Sequence, residues 1–366
     1  MTGIDDRVLM RRCLTLALRG YGRVHPNPLV GCVIVNNGAI VGEGYHRGFG
    51  ASHAEADALA QAGAKARGST LYVNLEPCAH HGKTPPCAQA IIAAGVREAV
   101  IAVKDPNRLV AGRGMALLKK AGIVVRSAVL LDEAERLNER FLTFHRMGRP
   151  FVGLKWAQSI DGRVADAVGG SRWITGPHSR AEAHRLRAGY DACLVGAHTV
   201  VTDDPKLTVR HVRGRHPVRI VLDGALRVSG KERVFDATVR TILLTNRRNL
   251  AGRSAVLRRL TSAGVEVLGL DGRGMIHPAQ LLAALAGEGI TSVLVEGGPT
   301  TIAQFISARC GDKVHVFLGA VVLGGGLSSL ELRRPFSVKS PLRLRDSMFR
   351  TLDDGGVLLE GYPEFP

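Results

Sequence analysis

Short aliphatic and β-branched runs alternate with longer amphipathic stretches along the chain. In the first part, "LVGCVIV" (29–35), "TLYVNL" (70–75) and "AVIAV" (99–103) are near-continuous apolar runs, the pattern of buried strands. Between them, "HAEADALAQAG", "PCAQAIIAAG" and "GMALLKKAG" carry helical periodicity and stop at glycine. The stretch "DEAERLNERFLTFHRMGRP" (132–150) predicts one helix running into a polar, Gly/Pro-marked joint. A second series begins at "FVGLKWAQS", with strands predicted at "ACLVG" (192–196), "VRIVLD" (218–223), "TILLT" (241–245), "VEVLGL" (265–270), "SVLVEGG" (292–298) and "KVHVFLG" (313–319). Strand and helix alternate in both halves, so two layered α/β domains are expected, 1–146 and 147–366. No internal repeat, heptad pattern or low-complexity tract interrupts them.

Composition narrows the classes. A chain of 366 residues exceeds the usual size of one domain, and 45% hydrophobic with 22% charged residues fits a soluble globular protein. No apolar run reaches the roughly 18 residues that span a bilayer. The start, "MTGIDDRVLM", is acidic where a signal peptide is basic, so no membrane association and a cytoplasmic address are expected. Six cysteines are too few for a disulfide scaffold. Cys13, Cys32, Cys193 and Cys310 lie in or beside apolar segments and read as small core residues. Cys78 and Cys87 instead sit in a His-, Gly- and Pro-rich loop where packing gives little reason for a thiol. The net charge of +17 favours phosphorylated ligands. Its densest stretches, 210–219 and 246–260, lack interleaved aromatics, and aromatics make up only 5% of the chain, so no nucleic-acid partner is expected.

The chemistry concentrates in "HAEADAL" (53–59) and "NLEPCAHHGKTPPC" (74–87). His53 and Glu55, two apart at a helix start, diverge by roughly 200° and do not share one metal. One imidazole and the thiols of Cys78 and Cys87 make a three-ligand set with an open fourth position, the arrangement of catalytic zinc. Zinc lowers the pKa of water from 15.7 to about 7, and Glu55 is placed to move the proton. Zinc deaminases carry H-x-E followed by P-C-x-x-C with the glutamate off the metal. Here eight residues, not two, separate the cysteines, whereas a deaminase of nucleic acid or free nucleosides is expected to keep the short spacing. A redox pair lacks its C-x-x-C. His80 and His81 suit a supporting or phosphate-contacting role, or a plain surface pair.

The extended loop ending in T-P-P-C, with "HPNPLVGCVIV" and "GEGYH…HAEADAL", resembles the deaminase half of the bifunctional riboflavin-biosynthesis deaminase/reductase family over residues 5 to about 145. The resemblance implies a cytidine-deaminase-like three-layer domain, zinc on His53, Cys78 and Cys87, Glu55 as proton shuttle, and Asn27 and His46 against the pyrimidine. Ser52 stands where the family commonly has proline.

The second half has no G-x-G-x-x-G. It offers "LKWAQSIDGRVA" (154–165), "GGSRWITG" (169–176), "LVGAHTVVTDDPKLTVR" (194–210) and "VLVEGGPTTIAQF" (293–305), the last a strand, two glycines and a helix whose N-terminus suits phosphate. In this order the motifs resemble the family's reductase half, a domain similar to dihydrofolate reductase that uses NADPH. By that resemblance Ala157, Trp173, Thr199, Asp203 and the turn of Gly298, Pro299, Thr300, Thr301, Ile302, Ala303 and Gln304 contact the nucleotide. Ser171, Arg187, Leu207, Arg210 and Glu296 hold the ribosyl-phosphate substrate, with Arg187 and Arg210 suited to bidentate phosphate contacts and Lys155 a further polar contact. Residues 308–326 depart from the family pattern. Together the resemblances imply hydrolytic deamination of a phosphorylated diaminopyrimidine, then NADPH reduction of its ribose, in a homo-oligomeric enzyme. The alternatives are a zinc deaminase of nucleic acid or nucleosides with an accessory nucleotide-binding domain, and a nucleotide-binding module whose zinc, with a fourth protein ligand, is structural.

Overall fold

The computed structural model describes residues 5–79, 86–107, 111–251, 254–272 and 274–366; His80 and His81 lie outside them. The chain divides into two compact units, Met1–Gly148 and Arg149–Pro366. Among the described residues no helix is long and apolar enough to cross a membrane.

The first unit runs α1 (Asp6–Ala17), β1 (Gly31–Asn36), β2 (Ala39–Tyr45), α2 (Ala54–Ala62), β3 (Thr70–Leu75), α3 (Cys87–Ala93), β4 (Glu98–Val103), α4 (Arg113–Lys120), β5 (Val124–Ser127), α5 (Leu131–Leu137) and α6 (Glu139–Met147). The sheet order is β2-β1-β3-β4-β5, with β1 antiparallel to β2 and β3, and β3, β4 and β5 parallel. Alternation along β1 shows why there are three layers: Cys32 and Ile34 join Ala54 and Ala58 of α2 in one core, while Val33 joins Met10 and Cys13 of α1 in the other.

One buried asparagine explains two departures from the predicted elements. The helix expected over 132–150 is two helices broken at Asn138, whose φ of −108° leaves the helical region. Its Oδ1 accepts the Leu29 N–H at 2.8 Å and its Nδ2 donates to the Leu29 carbonyl at 2.9 Å. Asn74 Nδ2 donates to the same carbonyl, at 2.9 Å, and its Oδ1 takes the Gly31 N–H at 2.8 Å. Leu29 thus has both backbone groups occupied by side chains, and the strand expected from residue 29 starts at Gly31.

The second unit runs β6 (Phe151–Gln158), β7 (Arg163–Ala165), α7 (Pro177–Ala188), β8 (Ala192–Gly196), α8 (Ala197–Asp203), β9 (Val218–Leu222), β10 (Thr241–Asn246), α9 (Ala255–Ser262), β11 (Glu266–Leu270), α10 (Pro278–Gly287), β12 (Ser292–Val295), α11 (Pro299–Ser307), β13 (Lys313–Leu318), β14 (Leu327–Ser328), β15 (Arg343–Thr351) and β16 (Val357–Glu364). Nine strands form one sheet, β11-β10-β9-β8-β12-β6-β13-β16-β15, parallel as far as β13 and antiparallel beyond it. Helices cover both faces: Leu194 and Val295 pack with Ile302 and Phe305 of α11, while Cys193 and Val195 pack towards Val200 of α8 and Leu260 of α9. The segment that departs from the family pattern includes a regular strand, β13, whose buried His315 lies 3.0 Å from the Tyr190 hydroxyl and 2.8 Å from Glu360. Arg219, at the end of one of the two densest basic stretches, is fully buried and paired with Asp236 at 2.8 Å.

Candidate functional site

In the first unit the site is built where helices begin. Gly44 of β2 lets α2 come down onto the strand, since a Cβ there would lie 2.2 Å from the Ala54 carbonyl oxygen. That contact fixes the start of α2, where His53, in extended conformation, is the N-cap residue, and Glu55 lies in the first turn. Cys87 opens α3, and its N–H points at the Cys78 sulfur, 3.3 Å away. The His53 Nδ1 stands 3.2 Å from the Cys87 Sγ and 3.6 Å from the Cys78 Sγ.

These three residues are the one cluster among the described residues whose ligand atoms all lie within 4.8 Å of one another, and Glu55 is not part of it. Bond lengths of about 2.3 Å to sulfur and about 2.0 Å to nitrogen place tetrahedral zinc ligands roughly 3.5–3.8 Å apart, so this soft donor set fits zinc with little adjustment. The hydrogen bond with Cys87 holds the Cys78 thiol far down, to about 4, and the same bond pushes Cys87 up. Glu55 is 4% exposed, and burial raises its carboxyl to about 7.

Asn27 and His46 meet beside this cluster. The His46 Nδ1 lies 3.0 Å from the Ser52 carbonyl, a contact only an N–H can make, so Nε2 is the acceptor for the Asn27 amide at 3.1 Å. Burial lowers the pKa of His46 and favours this neutral form. Because residue 52 contributes its backbone carbonyl, serine there serves as well as proline. The ring of His46 stacks edge-on to that of His53 with centroids 5.7 Å apart.

Sequence reasoning passed over Glu76, two residues before Cys78. Its buried carboxylate accepts the N–H groups of Asp105 at 3.2 Å, Gly112 at 2.9 Å and Met115 at 3.1 Å, tying the start of α4 to the cysteine segment. Gly114 completes the contact: a Cβ there would sit 2.0 Å from the Pro77 carbonyl oxygen. The sequence signal was an acidic residue ending an apolar strand.

In the second unit a cleft of about 570 Å³ gathers Ser171, Arg187, Leu207, Arg210 and Glu296 with Lys155, Ala157, Trp173 and Asp203. Glu296 is the hub. Arg187 grips it through Nε at 2.7 Å and Nη2 at 3.0 Å, the Cys193 thiol donates at 3.2 Å, and Lys155 stands 3.5 Å away. Burial alone would raise this carboxyl, but Arg187 and Lys155 outweigh it and hold it well below the usual range. Arg187 spends its remaining arm, Nη1, on the Thr208 carbonyl at 2.8 Å. Its bidentate edge therefore faces a carboxylate of the protein.

Arg210 has Nη1 at 3.0 Å from its neighbour Thr208 Oγ1 and is otherwise turned to the solvent side of the cleft. Trp173 is 68% exposed and lies under the Arg180 guanidinium, 4.2 Å from ring centre to cation. Thr199 and the turn from Gly298 to Gln304 are not in the cleft lining. They are joined to each other instead, the Gly298 N–H donating to Thr199 Oγ1 at 3.2 Å. Pro299, Thr300, Ala303 and Gln304 line a separate groove of about 740 Å³ on the outer side of α11. That groove is the larger of the two and carries Arg309, Glu331, Arg333 and Arg334 in its lining, but the buried Arg187–Glu296 pair lies in the 570 Å³ cleft. Arg180, His184, Lys206, His211 and Arg233 also line the cleft and were missed from sequence. Arg180 and His184 lie on α7, Lys206 and His211 lie beside Arg210 in the chain, and Arg233 comes from a single turn at Arg233–Phe235, with no spacing motif to mark them.

Comparison with known proteins covers both units. Residues 4–103 match the cytidine and deoxycytidylate deaminase zinc-binding region, and residues 150–358 match the RibD C-terminal domain. The chain is 42% identical to riboflavin biosynthesis protein RibD of Aquifex aeolicus, over 96% of this chain and 97% of that one. It is 41% identical to the RibD of Escherichia coli, over 89% and 91%. A crystal structure of the diaminohydroxyphosphoribosylaminopyrimidine deaminase/5-amino-6-(5-phosphoribosylamino)uracil reductase of Thermotoga maritima superposes with a TM-score of 0.85 at 39% identity, covering 98% of each chain. Acinetobacter baumannii RibD superposes with a TM-score of 0.87 at 35% identity, over 98% and 99%. With a zinc-deaminase unit and a reductase unit in one chain, matched along nearly its whole length, the protein belongs to the RibD family of bifunctional riboflavin-biosynthesis deaminase/reductases.

Proposed function

We propose that the first unit hydrolytically deaminates 2,5-diamino-6-ribosylamino-4(3H)-pyrimidinone 5′-phosphate, and that the second reduces the resulting 5-amino-6-(5-phosphoribosylamino)uracil to its ribityl form with NADPH. The observation that carries this reading is the three-donor cluster of His53, Cys78 and Cys87 with the buried Glu55 beside it. Zinc held by those three residues supplies a Lewis acid that makes water nucleophilic near neutral pH. Asn27 and His46 orient the pyrimidine. Glu55 would take the two protons of water in turn, handing one to the ring nitrogen and the other to the departing amine, so that ammonia leaves as the water oxygen joins the ring carbon.

In the second unit NADPH supplies the hydride, and the protein's part is alignment and exclusion of water. Arg210 and Ser171 take the substrate phosphate end, with Leu207 closing the wall. Glu296, locked by Arg187 and flanked by Lys155, faces the polar part of the substrate. Ala157, Trp173, Thr199, Asp203 and the first turn of α11 hold the dinucleotide, whose phosphates suit the amides of a helix start. Seven lysines and arginines against two carboxylates around the cleft favour two anionic ligands. Six free thiols suit the cytoplasm, and a homo-oligomer is the proposed state.

Product analysis with the phosphorylated diaminopyrimidine decides the matter. Ammonia and the aminouracil are expected without NADPH, and the ribityl product on its addition. Ammonia release unaffected by stripping the metal, or no NADPH oxidation with the aminouracil, sinks the corresponding half.

A further inference from the structure

The segment from Leu207 to Arg210 belongs to no strand or helix, and Leu207 holds a left-handed backbone, φ 53°, that a leucine adopts only under constraint. Side chains fasten it. Arg187 donates to the Thr208 carbonyl at 2.8 Å, the His216 Nδ1 accepts the Val209 N–H at 3.2 Å, and the His184 Nδ1 accepts the Arg210 N–H at 3.1 Å. His184 comes from α7, one turn from Arg187, is 6% exposed, and stands edge-on to His211 with ring centroids 4.6 Å apart.

We infer that His184 is a positioning residue for Arg210: by accepting the Arg210 N–H it fixes the backbone from which that side chain reaches the substrate phosphate, and so sets the preference for phosphorylated over unphosphorylated substrate. The inference rests on the reductase reading above. It requires a neutral ring with Nδ1 unprotonated. Burial, with Arg187 and Arg210 nearby, depresses His184 to about 3, so the acceptor is kept through the working pH range.

Two variants separate positioning from packing. His184→Asn keeps an acceptor near the place of Nδ1 but fills less space; His184→Phe fills the space and has no acceptor. KM and kcat are measured with NADPH for the aminouracil ribosyl phosphate and for its dephosphorylated riboside, with NADPH affinity read by fluorescence and Arg210→Ala run alongside. For H184F a rise of about tenfold in KM for the phosphorylated substrate is expected, the order carried by one lost hydrogen bond, with the riboside and NADPH changed by less than about threefold. H184N restores most of the loss. If H184N is worse than H184F, or H184F affects phosphate and riboside alike, the role is packing and the inference is overturned. An unchanged H184F overturns it too. Should the wild type fail to reduce the phosphorylated aminouracil, the reductase reading itself falls. If Arg210→Ala shows no loss of phosphate preference while the wild type turns over, the assignment of Arg210 falls and the inference with it.

Discussion

The two sites solve recognition in opposite ways. In the first unit three donors from two helix starts and the loop between them converge within 4.8 Å, and nothing else among the described residues duplicates them. In the second, charge is spread over a cleft of about 570 Å³ lined by many cations, and one carboxylate organises three of its neighbours. A metal site is all-or-none, because its affinity comes from simultaneous ligation by a complete set. A phosphate-binding cleft is graded, because each charge-assisted contact adds a separable increment.

The largest contrast is expected from Cys87→Ser. Losing one of three ligands should empty the metal site and bring deamination below detection, while reduction of the already deaminated aminouracil stays within about twofold, since distinct domains fail separately. Parallel loss of both activities would break the comparison. Glu55→Gln comes next. Deamination should fall by about 10²–10⁴-fold, the usual contribution of a proton-transfer group, with zinc near one per chain by elemental analysis. Metal loss in that variant would move Glu55 into the ligand set.

Arg210→Ala tests the graded side. A charge-assisted bond is worth about 1.5–3 kcal/mol, so KM for the ribosyl phosphate should rise roughly ten- to a hundredfold at low salt with NADPH affinity held. An equal loss for NADPH would place the phosphate elsewhere. The smallest effect belongs to the scaffold. Asn138→Ala leaves the Leu29 N–H without its partner, while Asn74 still serves the carbonyl, and should cost about 1–3 kcal/mol, seen as a lower midpoint for loss of deaminase activity on heating. Zinc content should not change, and an unaltered midpoint would show that Asn138 is dispensable.

The same contrast governs what could be read from the chain. His53, Glu55, Cys78 and Cys87 were legible because a metal imposes residue types in short, ordered spacing, and the helices that carry them begin within a residue or two of where periodicity puts them. Asn138 was not legible: its partner Leu29 is 109 positions away, and an asparagine in a helical pattern reads as ordinary surface. His184 escaped for a related reason, since its partner is a backbone N–H 26 positions on and nothing in "AEAHRLRA" distinguishes it from a solvent-facing histidine. The α/β class of both halves followed from periodicity, yet the hairpin of β15 and β16 did not, because the exposed, charged β15 lacks an apolar run. Arg187 was expected to offer its bidentate edge to a phosphate; that this edge faces Glu296 instead depended on three-dimensional neighbours.

Strand order also sets a schedule for synthesis. In the first sheet β1 pairs with β2 and β3, which follow it closely, so that sheet can begin to assemble as the chain leaves the ribosome. In the second, β6 is made first but pairs with β12 and β13, and about 130 residues must be translated before its first neighbour exists. At elongation rates of about 5–20 residues per second, that leaves an apolar strand unpaired for roughly 7–26 s. The second unit therefore leaves one of its strands unpaired during synthesis for longer than the first unit leaves any of its own.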